Sequence, residues 1–493
     1  MKILTGNQIR EADEYTVRRE PVSSLDLMER AAVALADGIE RFAARDKHLL
    51  VVVGRGNNGG DGLAVARILS ERGYECSVRY VFEESRSPEF AANKSRLPPA
   101  IVAGSEMRDN TVIIDAIFGT GIKDAVGEPA ASAIKAINTS GKRVISLDLP
   151  SGMKTEFGNS NGVMVKADVT LAIEFPKLAA LLPEAGEFAG ELHVVPIGLD
   201  KEFIAGAESR YHYLDAKLAA ALTKPRLKFG HKNMYGHALL VCGSRNMTGA
   251  AVLAAGGALR SGCGLVTAYV PGDARFALQT VCPSAMIETD AGEFFSHRPA
   301  NLAKYDAIGA GCGLGTEPET AAALADLLEQ SRKMSVPMVI DADAINILAA
   351  HRELLKLVAP GSVLTPHTGE MKRLAGEFAD EKDKLDRVSE LASEFKSTIV
   401  LKGAHTAVFL PDGKIFFNSV DSPGMAKGGS GDVLTGLVAG LLARYGNGGA
   451  AALLGVFFHG AAGRRAARLH GVESMNSADI MHNINCNAEA SEP

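Results

Sequence analysis

The chain has 493 residues, of which 46% are hydrophobic and 22% charged, and its formal net charge is −6. This length allows about two to four domains, and the composition is typical of a well-packed soluble protein. The small net charge and the lack of a Lys/Arg block argue against a nucleic-acid partner. The six cysteines form no C-x-x-C pair and no zinc spacing, so we expect free thiols in a reducing cytosol.

The sequence predicts no export or membrane segment. Its first residues, "MKILTGNQIREADEYT", lack the apolar core of a signal peptide. The longest apolar stretch, "GAAVLAAGGALRSGCGLVTAYV", starts at Gly249 and carries Arg260 at mid-length. We interpret it as a buried helix followed by a buried strand. We therefore expect a cytoplasmic protein with no membrane partner, and we also expect a homo-oligomer.

The first 200 residues alternate helical and strand patterns. Apolar residues recur at helical spacing from Leu25 to Phe42, directly after Ser24, which can cap the helix. Strands are then predicted at 49–53, 76–81, 112–115, 143–147, 169–173 and 193–196. This alternation predicts an α/β domain with a mostly parallel sheet covered on both faces, a Rossmann-like three-layer sandwich.

The second half repeats this pattern after an interruption. Residues 200–235 mix charge, Gly and Pro, and we place the domain junction near residue 210. A new α/β series begins with a strand at 237–241 and ends in two Ala/Gly-rich helices, 430–444 and 448–469. We therefore predict domains at 1–210 and 211–484, followed by a polar tail at 485–493.

Three polar loops follow predicted strands of the first domain: "GRGNNGGDG", "DAIFGTGIKD" and "DLPSG". Ligands of open α/β sheets bind beyond the carboxyl ends of the strands, and the first loop fits the dinucleotide pattern G-x-G-x-x-G. Asn58, Asp115 and Ser151 offer hard oxygen atoms for a cation, and Asp148 is a candidate acid/base. Taken alone, each loop is as compatible with a tight turn or a helix cap as with a ligand-binding loop. Three such loops at neighbouring strand ends favour a ligand site.

The strongest pattern of the second half is "GMAKGGSGDVLTG" at 424–436, where Gly-rich backbone leads into an apolar helix. Free N–H groups at a helix start form an anion hole for a transferring phosphoryl group. Asp432 is then placed to take a proton from a substrate hydroxyl. The alternative is a helix-capping Asp after a flexible loop. Neither a Walker A motif nor the protein-kinase motifs occur, so the phosphoryl chemistry needs another scaffold.

Other predicted strand ends in this half support a nucleotide site. "VLKGAHTAVF" places Lys402 in a turn between two strands, where an ADP phosphate can rest. "VIDADAINIL" places Asp341 and Asp343, and "VLTPHTGEM" places His367 and Glu370, just after buried strands. A lone His usually has a structural role. Because His367 lies in a loop beside other strand ends, a structural role and a substrate-binding role are equally compatible with the sequence.

These motifs resemble two known families. The second half resembles the ADP-dependent NAD(P)H-hydrate dehydratases of the ribokinase-like superfamily through "GGSGD", "HKNMYG", "IDADAIN", "LTPHTGEM" and "LKGAHT". The first half resembles the NAD(P)H-hydrate epimerases through "LMERA", "GNNGGDG", "DAIFGTG" and "DLPSG". The resemblance implies a ribokinase-like three-layer sandwich for the second domain. It also implies a fused isomerase and lyase. The isomerase interconverts R and S hydrates of NADH and NADPH, and the lyase dehydrates the S form while ADP becomes AMP and phosphate.

The resemblance also implies roles for individual residues. In the first domain, potassium is held by Asn58, Asp115 and Ser151, and Asp148 is catalytic. The matching hydrate-binding residues are Asn57, Asn58, Gly59, Gly60, Asp61, Gly119, Thr120, Gly121, Ile122 and Lys123. In the second domain, Asp432 contacts the reacting hydroxyl, and magnesium is expected to bridge the ADP phosphates. The matching hydrate positions are Ala251, Gly313 and His367. The matching ADP positions are Lys402, Gly403, Ala404, His405, Thr406 and Gly431.

Three other functions are compatible with parts of the sequence. A nicotinamide dehydrogenase explains the G-x-G-x-x-G loop, but no dehydrogenase catalytic set accompanies it. A vitamin-type kinase fused to a binding domain explains the second half, and it would leave a stable phosphorylated product. A non-catalytic interaction module explains the first fold, but such a copy has little reason to keep Asn58, Asp115 and Asp148 together.

Overall fold

The computed structural model describes residues 1–84, 87–122 and 124–487. It divides into two compact units, Lys2–Tyr211 and His212–Pro493 together with Met1. Both units build a largely parallel sheet with helices between successive strands. The predicted α/β class with two domains is confirmed. Among the described residues, no helix combines the length and apolar character that crossing a membrane requires.

The first unit, within its described residues, contains a seven-stranded parallel sheet in the order β3-β2-β1-β4-β5-β6-β7. Its strands are β1 (His48–Val53), β2 (Glu75–Tyr80), β3 (Val102–Ala103), β4 (Thr111–Ala116), β5 (Arg143–Leu147), β6 (Val169–Ile173) and β7 (Glu191–Val195). Its helices are α1 (Gly6–Arg19), α2 (Ser24–Glu40), α3 (Asn57–Glu71), α4 (Pro88–Ser95), α5 (Ala130–Thr139) and α6 (Lys201–Gly206).

Strand β1 lies at the centre of this sheet, and all its residues are buried. A strand covered on both faces is apolar throughout, which explains the sequence "HLLVVV". Its alternate side chains enter two different cores. Val51 packs with helices α2 and α3, whereas Leu50 packs with helix α5. The parallel register pairs Val53 with Ala116 and Asp115 with Ser146, so the loops after β1, β4 and β5 emerge side by side.

The second unit contains a ten-stranded sheet across the residues that the structure describes, in the order β11-β10-β9-β12-β13-β14-β15-β16-β17-β8. The strands are β8 (Tyr211–Leu214), β9 (His237–Val241), β10 (Leu265–Pro271), β11 (Met286–Asp290), β12 (Ala307–Ala310), β13 (Met338–Ile340), β14 (Val363–Leu364), β15 (Thr398–Leu401), β16 (Ala407–Phe409) and β17 (Ile415–Asn418). Strands β9 to β15 pair in parallel, and β16 and β17 extend the sheet antiparallel.

The helices of the second unit cover this sheet. They are α7 (Ala216–Leu222), α8 (Thr248–Arg260), α9 (Arg275–Val281), α10 (Pro318–Lys333), α11 (Ala342–Ala350), α12 (Thr368–Ala375), α13 (Glu381–Glu394), α14 (Ser430–Tyr445), α15 (Gly448–His470) and α16 (Ser477–His482). The apolar stretch from Gly249 forms nearly all of α8 and most of strand β10, as predicted. Helix α14 is buried along most of its length, so its first turn is held firmly against the sheet. The last residues of the predicted polar tail, 488–493, lie outside the described residues.

Candidate active sites

A cavity of about 730 Å³ opens at the carboxyl ends of strands β1, β4 and β5 in the first unit. The predicted site residues that line it are Asn57, Asn58, Asp61, Gly119, Thr120, Gly121, Ile122 and Asp148. A Cβ atom placed on Gly119 would lie 3.4 Å from both the Asn58 side chain and Oδ2 of Asp148. The three polar loops therefore converge on one cavity. Lys123 lies outside the described residues.

The polar residues after β1 are helical, whereas the sequence predicted a loop for Asn57–Asp61. Helix α3 begins at Asn57, with Gly56 as its N-cap. The helix can start this early because Gly56 caps it in an extended conformation, and the Gly60 N–H already bonds back to the Gly56 carbonyl. The free N–H groups of the first turn are a favourable place for an anion. Gly59 and Gly60 lie on the inner side of the helix, against Gly54 and Met28.

Asp115 lies directly behind this cavity and is fully buried. Its carboxylate accepts hydrogen bonds from the Ser151 hydroxyl at 2.6 Å, the Ser146 hydroxyl at 2.8 Å and the Ser151 N–H at 2.8 Å. Burial raises the pKa of Asp115, and these hydrogen bonds oppose the rise. No Lys, Arg or His charge acts on it from the described part of the chain. The site thus holds a buried carboxylate without a cationic side chain.

Asp148 follows β5 with a positive φ of 69°, a conformation that only a constrained non-glycine residue adopts. Its Oδ1 atom accepts hydrogen bonds from the Ile173 N–H, at 3.2 Å, and from the ammonium of Lys177. Lys177 is itself buried and also donates to the Ile173 carbonyl at 2.9 Å. The sequence analysis missed Lys177. Its signal was the position of "EFPK" immediately after β6, at the same edge of the sheet.

Two more carboxyls, Asp13 on α1 and Asp61 on α3, face the same cavity. Within the described residues, neither receives a hydrogen bond or an ion pair. Burial, reinforced by the charge of Asp148, raises the pKa of Asp13 to about 7. Burial and the same charge raise the pKa of Asp61 well above its ordinary value. Asp13 therefore titrates near neutral pH.

The second candidate site is built on the first turn of helix α14. Gly429 caps this helix with a φ of 89°, which a residue with a side chain rarely adopts. The turn exposes the backbone N–H groups that precede Asp432, as the glycine pattern predicted. His459 of helix α15 packs behind it, and its ring bonds with the Ser430 backbone. Burial lowers the pKa of His459 to about 4, so this ring is neutral and structural.

Asp432 lies in the first turn of α14 and is the predicted acid/base of this site. Burial raises its pKa to about 6, and the charges of Asp341 and Asp343 add to the rise. A hydrogen bond from the Cys312 thiol and the charge of Lys402 lower it. A carboxyl group with such a pKa exchanges protons readily at neutral pH.

Lys402 reaches this site from the turn between β15 and β16. Its Nζ atom lies 2.7 Å from Oδ1 of Asp341, and the Thr435 hydroxyl donates to Oδ2 of Asp341 at 2.6 Å. A Cβ atom on Gly431 would lie 3.3 Å from the Lys402 ammonium. The predicted ADP residues Lys402 and Gly431 are thus neighbours at the start of α14.

The remaining predicted ADP residues complete the turn after β15. The Thr406 hydroxyl donates to the Gly403 carbonyl at 2.8 Å, and Gly403 and Ala404 are exposed. His405 Nδ1 bonds with the Asn418 carbonyl, and the His405 N–H donates to Asp421 at 2.9 Å. These contacts fix the shape of the turn and leave its backbone open to solvent.

His367 caps helix α12. A structural role of this kind was the alternative to substrate binding in the sequence analysis. Its Nδ1 atom accepts hydrogen bonds from the N–H groups of Gly369, at 3.0 Å, and Glu370, at 3.3 Å. A neutral imidazole that accepts at Nδ1 carries its hydrogen on Nε2. The side chain is half exposed, and its Nε2 atom lies 3.4 Å from Oε1 of Glu370. The structure thus shows the capping role of His367, and its contact with the hydrate stays a prediction.

The other two predicted hydrate positions lie near the start of α8. Gly313, with a φ of 62°, packs against Met247 and Ala250, and Ala251 is buried beside Gly243. The loops after β9 and β12 thereby meet, and the Gly243 N–H donates to the Cys312 carbonyl at 2.7 Å. Ala251 has no polar side chain, so it can only shape this region.

The chain thus has two α/β units, and each carries acidic and glycine-rich segments at the carboxyl ends of its parallel strands. This arrangement defines a two-domain α/β enzyme. A family model described as "YjeF-related protein N-terminus" matches residues 24–179, and one described as "NAD(P)H-hydrate dehydratase" matches residues 238–485. The chain is 35% identical to the bifunctional NAD(P)H-hydrate repair enzyme of Moorella thermoacetica, over 98% of this chain and 95% of that protein. It is 32% identical to the enzyme of that description from Escherichia coli, over 93% of this chain and 88% of that protein. The chain belongs to the family of bifunctional NAD(P)H-hydrate repair enzymes.

Solved structures resemble the second unit. An ADP/ATP-dependent NAD(P)H-hydrate dehydratase from Bacillus subtilis, co-crystallised with ATP and Mg²⁺, is 28% identical with a TM-score of 0.50. The match covers 57% of this chain and 99% of that chain. A ribokinase-like superfamily protein from Enterococcus faecalis is 26% identical with a TM-score of 0.50, over 58% of this chain and 98% of that chain. These similarities confirm the predicted ribokinase-like fold and the family resemblance.

Proposed function

We propose that this chain repairs hydrated NADH and NADPH in two reactions, one in each unit. The first unit interconverts the R and S hydrates, and the second dehydrates the S hydrate while ADP becomes AMP and phosphate. The observation that carries the proposal is that each unit has a carboxyl at the position that matches the family's catalytic residue. These are the buried Asp148 after β5 and the half-buried Asp432 at the start of α14. A homo-oligomeric state and a cytoplasmic location stay predictions.

The residues predicted to hold potassium fit a monovalent cation. Asp115 is a buried carboxylate that forms no ion pair within the described chain, its neighbour Ser151 offers a hydroxyl oxygen, and Asn58 offers an amide oxygen. The described residues contain no group of three His, Cys, Asp or Glu side chains that suits a more highly charged metal. Asn58, Asp115 and Ser151 would hold the ion, which supplies positive charge beside the loops that bind the substrate phosphates.

The hydrated ring carbon can invert by two routes, loss of the hydroxyl group with return of water on the opposite face, or opening and reclosure of the ring. We propose the first route. This carbon is a hemiaminal, so the ring nitrogen can supply the electron pair that expels the hydroxyl group as water. We assign Asp148 as the group that moves a proton to or from this oxygen, since its free Oδ2 atom faces the cavity. Lys177 holds the other oxygen and thereby orients the carboxyl.

Dehydration requires the same hydroxyl group to become a good leaving group. In the second unit, Asp432 takes the hydroxyl proton, and the hydroxyl oxygen attacks the terminal phosphorus of ADP, so that AMP leaves. Phosphate then departs from the ring carbon with the electron pair of the C–O bond, while the ring nitrogen supplies its own pair to that carbon. The neighbouring ring carbon then loses a proton to solvent, so that the ring regains its carbon–carbon double bond and gives NADH or NADPH. The free N–H groups at the start of α14 stabilise the transferring phosphoryl group. Magnesium, when bound with ADP, neutralises phosphate charge.

The proposal is tested with a mixture of R and S hydrates, ADP, Mg²⁺ and K⁺, following the absorbance of reduced nicotinamide. Complete conversion, faster than the enzyme-free interconversion of the hydrates, indicates both reactions. Conversion of the S portion alone indicates only the dehydratase. The vitamin-type kinase alternative predicts a stable phosphorylated product and no free phosphate.

The roles of the two carboxyls are tested in the same assay. Asp148→Asn should stop conversion after the S hydrate is consumed, and loss of S-hydrate dehydration as well would contradict its assignment to the first site. An Asp148→Asn protein that still converts the whole mixture at the normal rate would exclude Asp148 as the acid/base of the first site, whereas a wild type that converts only the S portion would support the non-catalytic interaction module.

A further inference from the structure

Asp13 occupies an unexplained position in the cavity of the first unit. It lies on α1, near the N-terminus and outside the three loops that carry the family motifs, yet it lines the same cavity as Asp148. The two carboxyls reach the cavity from different elements, since Asp148 follows strand β5. They are close enough for the charge of Asp148 to raise the pKa of Asp13.

The charges around Asp13 do not neutralise it. The acidic groups that act on it are Asp148, Glu174, Glu14 and Asp61, and the cation that acts on it is Lys177. Arg10 also lines the cavity but has no ion pair with Asp13. Lys177 is already bound to Asp148 and the Ile173 carbonyl. Asp13 is therefore a proton-holding group beside an ion-paired carboxylate.

Inversion of the hemiaminal carbon by loss and return of water calls for two such groups. The hydroxyl group must receive a proton as it leaves one face of the ring, and a water molecule must lose a proton as it adds to the opposite face. A single carboxyl on one wall can assist only one of these steps directly, because general acid–base catalysis needs contact within hydrogen-bond distance.

We propose that Asp13 is a second catalytic carboxyl of the epimerase and works on the ring face opposite to Asp148. This proposal rests on the epimerase function proposed above. In one direction, Asp13 gives its proton to the hydroxyl oxygen, the C–O bond breaks, and water leaves with that electron pair while the ring nitrogen forms a double bond to carbon. A second water then attacks the other face, its proton passes to Asp148, and the electron pair returns to nitrogen.

This sequence consumes one water and releases one, and it moves one proton in and one out. It leaves Asp13 ionised and Asp148 protonated, which is the state required for the reverse reaction. The open cavity allows the two protons to exchange with solvent before the next turnover. Exactly one of the two carboxyls must hold a proton, so the rate should fall as the pH rises above about 7, where Asp13 ionises.

The experiment compares the full-length wild type with Asp13→Asn, and with Glu11→Gln as a matched control. Glu11 is an exposed carboxyl on the same helix. Epimerisation of purified S hydrate without ADP is followed in oxygen-18 water, recording both inversion and label uptake. For Asp13→Asn we expect kcat for inversion to fall about 100-fold or more, with KM changed less than about threefold. We also expect the loss of the decline above neutral pH and a higher ratio of label uptake to inversion. Glu11→Gln should match the wild type.

The outcomes separate this inference from the proposed function. If the wild type does not epimerise the hydrate, the proposed function of the first unit fails. If the wild type does so and Asp13→Asn keeps its kcat or its pH profile, Asp13 is not catalytic. An equal fall in label uptake and inversion would also overturn the inference, because it indicates a positioning role.

A measurement of stability tests whether Asp13 holds a proton in the folded protein, and it needs no activity assay. A raised pKa means that Asp13 contributes stability at low pH that is lost as pH rises through about 7. The melting temperature of Asp13→Asn should therefore exceed that of the wild type more at about pH 8 than at about pH 5. An equal difference at both pH values would show that Asp13 holds no proton. A cooperative melting transition of the variant reports that its first unit is folded, and dehydratase activity reports the same for the second unit.

Discussion

The ammonium of Lys402 lies 2.7 Å from Oδ1 of Asp341, although the two residues are 61 positions apart in the sequence. Burial alone would lower the pKa of Lys402, but the charge and the hydrogen bond of Asp341, together with the charges of Glu370 and Cys312, outweigh this effect and raise the pKa. Asp341 is itself bound by Thr435 and is almost completely buried. The pair therefore keeps a positive charge fixed beside the first turn of α14, where an ADP phosphate is proposed to bind.

Replacing Lys402 with Ala should affect both ADP binding and stability. Loss of a charged hydrogen-bond donor should raise the KM for ADP by about tenfold to a hundredfold. Leaving Asp341 buried without its cation should cost about 3–5 kcal/mol, partly offset by Thr435. Steady-state kinetics and thermal unfolding measure the two effects. Lys414→Ala, which removes an exposed lysine near the turn between β16 and β17, is the control.

A double variant separates the two effects of Lys402. Lys402→Met combined with Asp341→Asn removes both charges, so it should recover most of the lost stability but not the ADP affinity. Recovery of a normal KM for ADP in this variant would contradict a role of Lys402 in nucleotide binding.

Asp432 should give the dehydratase an acidic limb in its pH profile. A general base works in its ionised form, and the pKa of Asp432 is raised to about 6. The rate should thus be constant above this pH and fall about tenfold per pH unit well below it. Asp432→Asn should lower kcat about 10²- to 10⁴-fold at neutral pH. Epimerisation by the same variant serves as the control, and an unchanged acidic limb would exclude Asp432 as the titrating base.

Potassium should stabilise the first unit through Asp115. A cation that binds only the folded chain raises the melting temperature as its concentration increases. We expect this rise with K⁺ at constant ionic strength, with tetramethylammonium as the replacement ion. Asp115→Asn should abolish it, whereas Asp109→Asn, at a fully exposed carboxyl, should not. A K⁺ effect that survives in Asp115→Asn would place the ion elsewhere.

Gly54 should tolerate no side chain, because the loops after β1 and β4 touch at this residue. A Cβ atom there would lie 1.8 Å from the Ile117 carbonyl oxygen. Gly54→Ala must separate the two loops, at a cost of about 1–3 kcal/mol in the free energy of unfolding, and should raise the KM for the hydrate. At Gly56 a Cβ atom meets nothing within 4 Å, so Gly56→Ala is the matched control for stability. Equal stability of the two variants would show that the loops can separate freely.

Much of the fold follows from local patterns that the sequence contains in full. The run "HLLVVV" predicts a central parallel strand because only a strand covered on both faces is apolar at every position. The glycine-rich segment before Asp432 predicts the start of α14 because few other residues adopt the backbone that Gly429 requires. The sequence misplaced the start of α3, since a helix that begins with Asn, Gly and Asp has low intrinsic propensity.

The sequence by itself thus determined the alternation of strands and helices, the two-domain α/β class, the family and the loops that carry the predicted site residues. Only the tertiary structure decided which charges meet. Lys177 was not predicted as the partner of Asp148, nor Asp13 as a member of the same cavity, because each comes from a distant element with no local pattern. Their protonation also depends on burial and on neighbours through space. Acid/base chemistry is therefore fixed by packing, whereas the positions of the loops are fixed by sequence.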